Sequence, residues 1–140
     1  MLIVLDTNVI ISALKSATGA SFRLIRLVRA GVLRPAVTAP LMFEYDDVAS
    51  RPELLPHLST SEITAFLDWF VVASSQHKVH FLWRPLVRDP KDDMVLEAAV
   101  AASADYLVTY NISDFDGASS LGVRLITPPK LLALFPSVLP

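Results

Sequence analysis

The chain of 140 residues has the length of one domain, and with 53% apolar and 19% charged side chains it can bury a core without a disulfide or a structural metal. It contains no cysteine, which excludes a disulfide framework, a thiolate zinc site and a cysteine nucleophile. A net charge of −2, from 12 basic and 14 acidic side chains, argues against a protein that holds nucleic acid by phosphate contacts alone, so any such role must tolerate acids that a divalent cation can neutralise.

No apolar run approaches the ~18 residues of a membrane helix. The N-terminus carries Asp6 and no basic leader, so a cytoplasmic protein without a membrane partner is expected. The first element, LIVL at 2–5, reads as a short, fully buried strand. Asp6 suits the N-cap of a helix from about Thr7 to Lys15, and Gly19 breaks the chain before a second helix over Ser21–Ala30 that stops at Gly31. Arg34-Pro35 leads into a strand, AVT, and Ala39-Pro40 opens a helix with proline at its first position that ends near Ser50-Arg51-Pro52. Ser59-Thr60-Ser61-Glu62 has the form of a capping box and starts a helix to about Ala73. VHFLW at 79–83 reads as the third strand, and a loop with two prolines runs from Arg84 to Asp92. An alanine-rich helix is expected over Asp93–Ser103, a strand over YLVT (106–109), a loop with a short helix over Asn111–Gly122, a strand over VRLIT (123–127) and a last helix from Pro128-Pro129.

Strands and helices alternate, and the strands are continuous apolar runs. That pattern predicts one domain over residues 1–140, an α/β/α sandwich with a mostly parallel central sheet of about five strands. In such a sheet ligands bind beyond the carboxyl ends of the strands. Three acids fall near that edge: Asp6 after the first strand, Asp93 at the start of the helix before the fourth, and Asp114 five residues after Thr109. Glu44 shares a helix face with Leu41, Tyr45 and Val48, where a carboxylate is costly without a partner.

Each of these acids also has a structural reading. Asp6 can be a cap, Asp114 a solvated turn former, and Glu44 a snorkelling side chain. Either Asp92 or Asp93 can cap the helix while the other serves as ligand. Four acids from separate elements on one edge would repel each other, and Mg²⁺ or Mn²⁺, which prefer carboxylate and water oxygens, would relieve that. Thr7, Asn8 and Thr109 add neutral oxygens.

The stretches LDTNVIISAL (5–14), TAPLMFEYDDVASRP (38–52), RDPKDDMVLEAAVAASADYLVTYNISDF (88–115) and VRLITP (123–128) together resemble a PIN domain, of the branch of VapC-type toxins in toxin–antitoxin pairs. The most specific part runs from Asp93 to Phe115: an acid, an alanine-rich helix, an apolar strand, Thr-x-Asn and Asp-Phe. The resemblance implies that Asp6, Glu44, Asp93 and Asp114 are the catalytic, metal-holding acids, with Thr7, Asn8 and Thr109 as helpers and Asp92 and Asp116 as adjacent alternatives. The pattern departs at Asn111, where many relatives carry an acid. It implies Mg²⁺- or Mn²⁺-dependent hydrolysis of RNA to 5′-phosphate and 3′-hydroxyl products, a homodimer, and a cognate antitoxin partner.

RNA must also be held. Arg84, Arg88 and Lys91 sit in the loop that leads to Asp93, and Arg23, Arg26 and Arg29 recur every third residue along the second helix, where a solvated face is the alternative. His77 and His80 flank the start of the expected third strand, away from the acidic edge, so a histidine acid–base pair is not expected. A receiver-like signalling domain shares the architecture, and Thr109 and Lys130 suit it, but VHFLWRP offers no aspartate at the end of the third strand. A non-catalytic interaction domain on the same scaffold gives no reason for Glu44 on an apolar stripe.

Overall fold

The computed structural model describes residues 1–79 and 90–136, with backbone alone at 90 and 91. The first strand, β1 (Leu2–Leu5), is the centre of the sheet. It pairs in parallel with β2 (Arg34–Val37) on one side and with β4 (Tyr106–Val108) on the other. Ile3, Val4 and Leu5 are wholly buried, which is why this segment is apolar at every position and shows no alternation. A short strand β3 (Ser75–Gln76) extends the sheet beyond β2, and β5 (Leu125–Ile126) extends it beyond β4. The order is β3-β2-β1-β4-β5, all parallel.

Six helices complete the described chain: α1 (Thr7–Lys15), α2 (Ala20–Arg29), α3 (Ala39–Ala49), α4 (Thr60–Ala73), α5 (Pro90–Ala102) and α6 (Pro128–Leu132). Their ends are written in local chemistry. Thr38 Oγ1 accepts the Leu41 N–H at the start of α3, which also has proline in its first turn. Ser59 and Glu62 form the expected capping box on α4, at 3.1 and 3.0 Å. Both α2 and α5 end in a six-to-one turn. Val32 N–H reaches the Leu27 carbonyl around Gly31 (φ 79°), and Ala104 N–H reaches the Ala99 carbonyl around Ser103 (φ 49°). Glycine takes the left-handed conformation freely in the first turn, and serine takes it at a cost in the second.

The strand order steps from β1 to β2 to β3 in one direction and continues from β1 to β4 to β5 in the other. With right-handed crossovers, the connecting helices then fall on opposite faces of the sheet, and a crevice opens where the direction reverses. That reversal lies between the carboxyl ends of β1 and β4. α1 and α3 start at the carboxyl ends of β1 and β2 and pack on each other, so both run away from the crevice.

The expected third strand needs correction. The strand that pairs with β2 is Ser75–Gln76, which immediately follows α4, and Val79 is not in a strand. The rest of VHFLW, His80–Trp83, lies outside the described residues, as do Arg84 and Arg88. A two-residue edge strand made of serine and glutamine carries no hydrophobic signature, so the apolar run downstream attracts the assignment instead. His77 therefore follows β3 at its carboxyl end rather than preceding the strand. Its N–H bonds the Val37 carbonyl at 2.9 Å and its ring meets Ser75 Oγ at 2.7 Å. α5 begins at Pro90, three residues before the expected Asp93, because proline is favoured in a helix's first turn.

Candidate active site at the switch point of the sheet

Asp6 is delivered by β1. Its own N–H completes the sheet through a 2.9 Å bond to the Val108 carbonyl, and its carbonyl accepts the Val9 N–H as α1 begins. The backbone is thereby fixed on both sides of one residue, and the side chain is fixed as well. Oδ1 accepts the Thr7 N–H at 2.8 Å, and Oδ2 accepts the Thr109 hydroxyl at 2.7 Å. Thr109 Oγ1 in turn accepts the Asn111 N–H at 3.0 Å, so its proton is committed to Asp6. Only 5% of Asp6 is exposed. Burial pushes its pKa above the ordinary 3.8, the charge of Asp114 adds to that, and the Thr109 and Thr7 hydrogen bonds offset part of it. The carboxylate is oriented by two donors yet poorly solvated, so its charge remains available to a cation.

Glu44 arrives from α3, and its neighbour Tyr45 ties that helix to the sheet. Tyr45 is fully buried, packs edge-on against Phe70 at 5.9 Å, and donates its hydroxyl to the Leu5 carbonyl, one peptide before Asp6. Burial, and then the charge of Asp6, holds the phenol well above its ordinary pKa of 10.0, so it remains a donor.

These elements enclose a cavity of about 560 Å³ whose wall includes Asp6, Thr7, Asn8, Glu44, Asp92, Asn111 and Asp114. Asp6 and Glu44 lie deep in it, at 5% and 9% exposure, whereas Asp114 is exposed on the 3-10 turn at 112–115. Asp93 is 1% exposed and is not part of this wall; the adjacent Asp92 is. Thr109 is fully buried and stands behind Asp6, away from the wall, so it acts on the carboxylate rather than on the cavity. Asp116 lines a separate hollow with Phe115 and Arg124. Arg26 lines an apolar groove with Phe22, Phe66 and Trp69, and Arg23 is exposed. The side chain of Lys91 lies outside the described residues.

The donor set around the cavity is entirely oxygen, which suits a hard divalent cation such as Mg²⁺ or Mn²⁺. Asn8 Oδ1 strengthens the fit, because it is buried and meets no hydrogen-bond donor among the described residues. Among the described residues, however, no three histidine or acidic side chains are gathered tightly enough to enclose an ion. The acids form the wall of an open basin.

Residues 2–113 match the PIN domain family. The chain belongs to that family, a family of nucleases. A chain in the crystal structure of VapBC2 from Rickettsia felis bound to a DNA fragment from their promoter has a similar fold, with a TM-score of 0.61 at 16% identity over 91% of this chain and 98% of that one. No curated protein sequence matches. The cavity lies at the β1/β4 reversal, where an open parallel sheet takes its ligands. This PIN domain also places at the cavity residues that carry no site signal of their own in the sequence, namely Lys15 and Arg51, with Ile11, Ser12 and Leu54 beside them. A positional signal was partly present: Lys15 lies two helical turns after Asn8 on α1, whereas Arg51 lies two residues beyond the end of α3, where helical spacing no longer places it. Tyr45 carries no such signal, because an aromatic on an apolar stripe reads as core.

Proposed function

We propose that this PIN domain is a Mg²⁺- or Mn²⁺-dependent ribonuclease that hydrolyses RNA phosphodiester bonds and serves in the cytoplasm as the toxin of a toxin–antitoxin pair. The observation that carries this reading is the arrangement of Asp6, Glu44, Asp92 and Asp114 around one cavity, with Asp6 oriented by two hydrogen bonds in a poorly solvated position. The antitoxin partner and the homodimer rest on likeness to the VapBC family, whose member from Rickettsia felis was solved with its promoter DNA.

A bound divalent cation supplies charge neutralisation and water activation at a phosphodiester. The chain's own residues prepare the place. Thr7 N–H and the Thr109 hydroxyl hold the Asp6 carboxylate in one orientation, and Tyr45 fixes the peptide that precedes it. Glu44 and Asp92 add negative charge to the same wall, and Asn8 adds a neutral oxygen. Asp93 remains the acid the family pattern assigns, one residue from Asp92 on the first turn of α5.

The test is cleavage of a single-stranded RNA by purified protein free of antitoxin, with Mn²⁺ or Mg²⁺. EDTA and Asp6→Asn are both expected to abolish cleavage. Intact RNA under every metal condition defeats the enzymatic reading, and full cleavage by Asp6→Asn defeats the assignment of the site. Asp92→Asn and Asp93→Asn, measured side by side, separate the two candidates for the α5 acid.

A further inference from the structure

The acidic cavity has a second, oppositely charged end. Of the nine lysine and arginine side chains among the described residues, Lys15 and Arg51 are the two that line it. α1 and α3 pack together and both run away from the sheet's carboxyl edge, so these two cations lie at the same end of the groove between the helices. Lys15 is the last residue of α1, seven beyond Asn8, and Arg51 directly follows Ser50, the residue that caps α3. At 1.5 Å per residue the α1 stretch spans about 10 Å. The floor between is Ile11, Val48 and Leu54, apolar surface of the kind a base or ribose covers. Lys15 is exposed, and Arg51 keeps 39% of its side chain accessible, with one guanidinium nitrogen 3.1 Å from the exposed Asp47.

We infer that Lys15 and Arg51 hold the phosphodiester backbone of a single-stranded substrate about one to three nucleotides from the bond that the acids address, so the strand follows the α1/α3 groove. This rests on the nuclease reading and adds the path of the substrate to it. About 10 Å is at most about three nucleotides, the number reached at the fully stacked rise of 3.4 Å, and fewer for an unstacked strand. A single strand is the fitting occupant, because Asp6 and Glu44 are 5% and 9% exposed and the phosphate must enter a recess. A duplex, stiff over about 150 base pairs, bends into a recess poorly.

The test uses Lys15→Gln, Arg51→Gln and the double variant. Their cleavage of a 12-nucleotide single-stranded RNA is followed by kcat and KM. Binding of the same fluorescein-labelled RNA is followed across a salt series in the Asp6→Asn background. Each single change is expected to raise KM and Kd by roughly 2- to 5-fold, the range of an exposed ion pair, and the double change by about the product, with kcat within about two-fold. The slope of log K against log salt should flatten by about 0.7 per cation removed, the single-strand value. Trimming the RNA to one nucleotide on one side of the cleaved bond should weaken wild type and leave the double variant indifferent.

Unchanged KM, Kd and salt slope in the double variant, while wild type cleaves, overturns the inference and spares the nuclease reading. A loss confined to kcat overturns it too, and duplex RNA bound as tightly as the single strand overturns the choice of occupant. If wild type cleaves nothing, the nuclease reading fails, and the binding series still decides. RNA binding that weakens with each cation removed keeps the groove as a nucleic-acid surface, and no binding at all sinks both.

Discussion

Tyr45→Phe tests the coupling between the core and the candidate site, because it removes one oxygen and leaves the ring. The ring keeps its edge contact with Phe70, so packing is preserved and the lost interaction is the hydroxyl's bond to the Leu5 carbonyl. Both groups are buried, since Tyr45 and Leu5 are each 0% exposed. Leaving a buried acceptor without this donor costs about 1–3 kcal/mol. At this chain length 1 kcal/mol moves the midpoint by about 3–4 °C, so the midpoint of thermal unfolding should fall by about 3–12 °C. The carbonyl belongs to the peptide that enters Asp6, and Tyr45 neighbours Glu44. The link between the two acids therefore loosens, and kcat should drop by roughly 10- to 100-fold, the scale of an ångström-sized misplacement. The assay is a pair of melts with cleavage kinetics on the same preparations. A midpoint within about a degree of wild type refutes the energetic argument. A lowered midpoint with unchanged kcat refutes the positional one.

Asp6→Asn should lower kcat by on the order of 100-fold or more; it removes a buried charge but leaves one of the two donors that Asp6 accepts facing an amide NH2. The sign of the pH dependence follows from burial. The native Asp6 pKa lies above 3.8, so the folded state binds its proton more tightly than the unfolded state, and this group's contribution falls as pH climbs through that interval. The urea-midpoint difference between wild type and Asp6→Asn should therefore widen to wild type's disadvantage from acid toward neutral pH, and a flat difference refutes it. Mn²⁺ at a hundred times its Kd should add about 2.7 kcal/mol to wild type, reversed by EDTA and absent in Asp6→Asn; equal midpoints with and without metal refute the metal site. Ser103→Gly should stabilise the protein by roughly 0.5–1 kcal/mol, since glycine takes the φ of 49° freely, with Ser103→Ala as the control that gains nothing.

The sequence carries the elements whose ends are marked by side chains. β1 ends at an aspartate that is also a cap, α3 begins with Thr38, Ala39 and Pro40, and α4 begins with a capping box, so each is legible from two or three residues. β3 was not, because Ser75 and Gln76 join the sheet through backbone bonds to β2 and need no apolar side chain at the edge. The acids Asp6, Glu44 and Asp114 were legible as candidates from where they stand relative to strands and helices. The role of Thr109 was half legible: its closeness to the site follows from its place after β4, but its service as a donor behind Asp6 depends on the rotation of one side chain. The choice between Asp92 and Asp93 turns on about 100° of helix rotation, finer than sequence spacing resolves.

One geometric fact accounts for both ends of the cavity. Helices that begin at the carboxyl ends of neighbouring parallel strands bring their first residues together. Asp6, just before α1, and Glu44, in the second turn of α3, therefore share a wall although 38 positions separate them. The same helices end farther out along the groove, where Lys15 closes α1 and Arg51 follows the cap of α3. A chain with a net charge of −2 can therefore present a cationic grip without being basic, because the sign of the charge changes along the helix axis rather than across the molecule. Net charge excluded adhesion to a polyanion by general attraction. It left open a narrow track, and the parallel exit of α1 and α3 from the sheet supplies one.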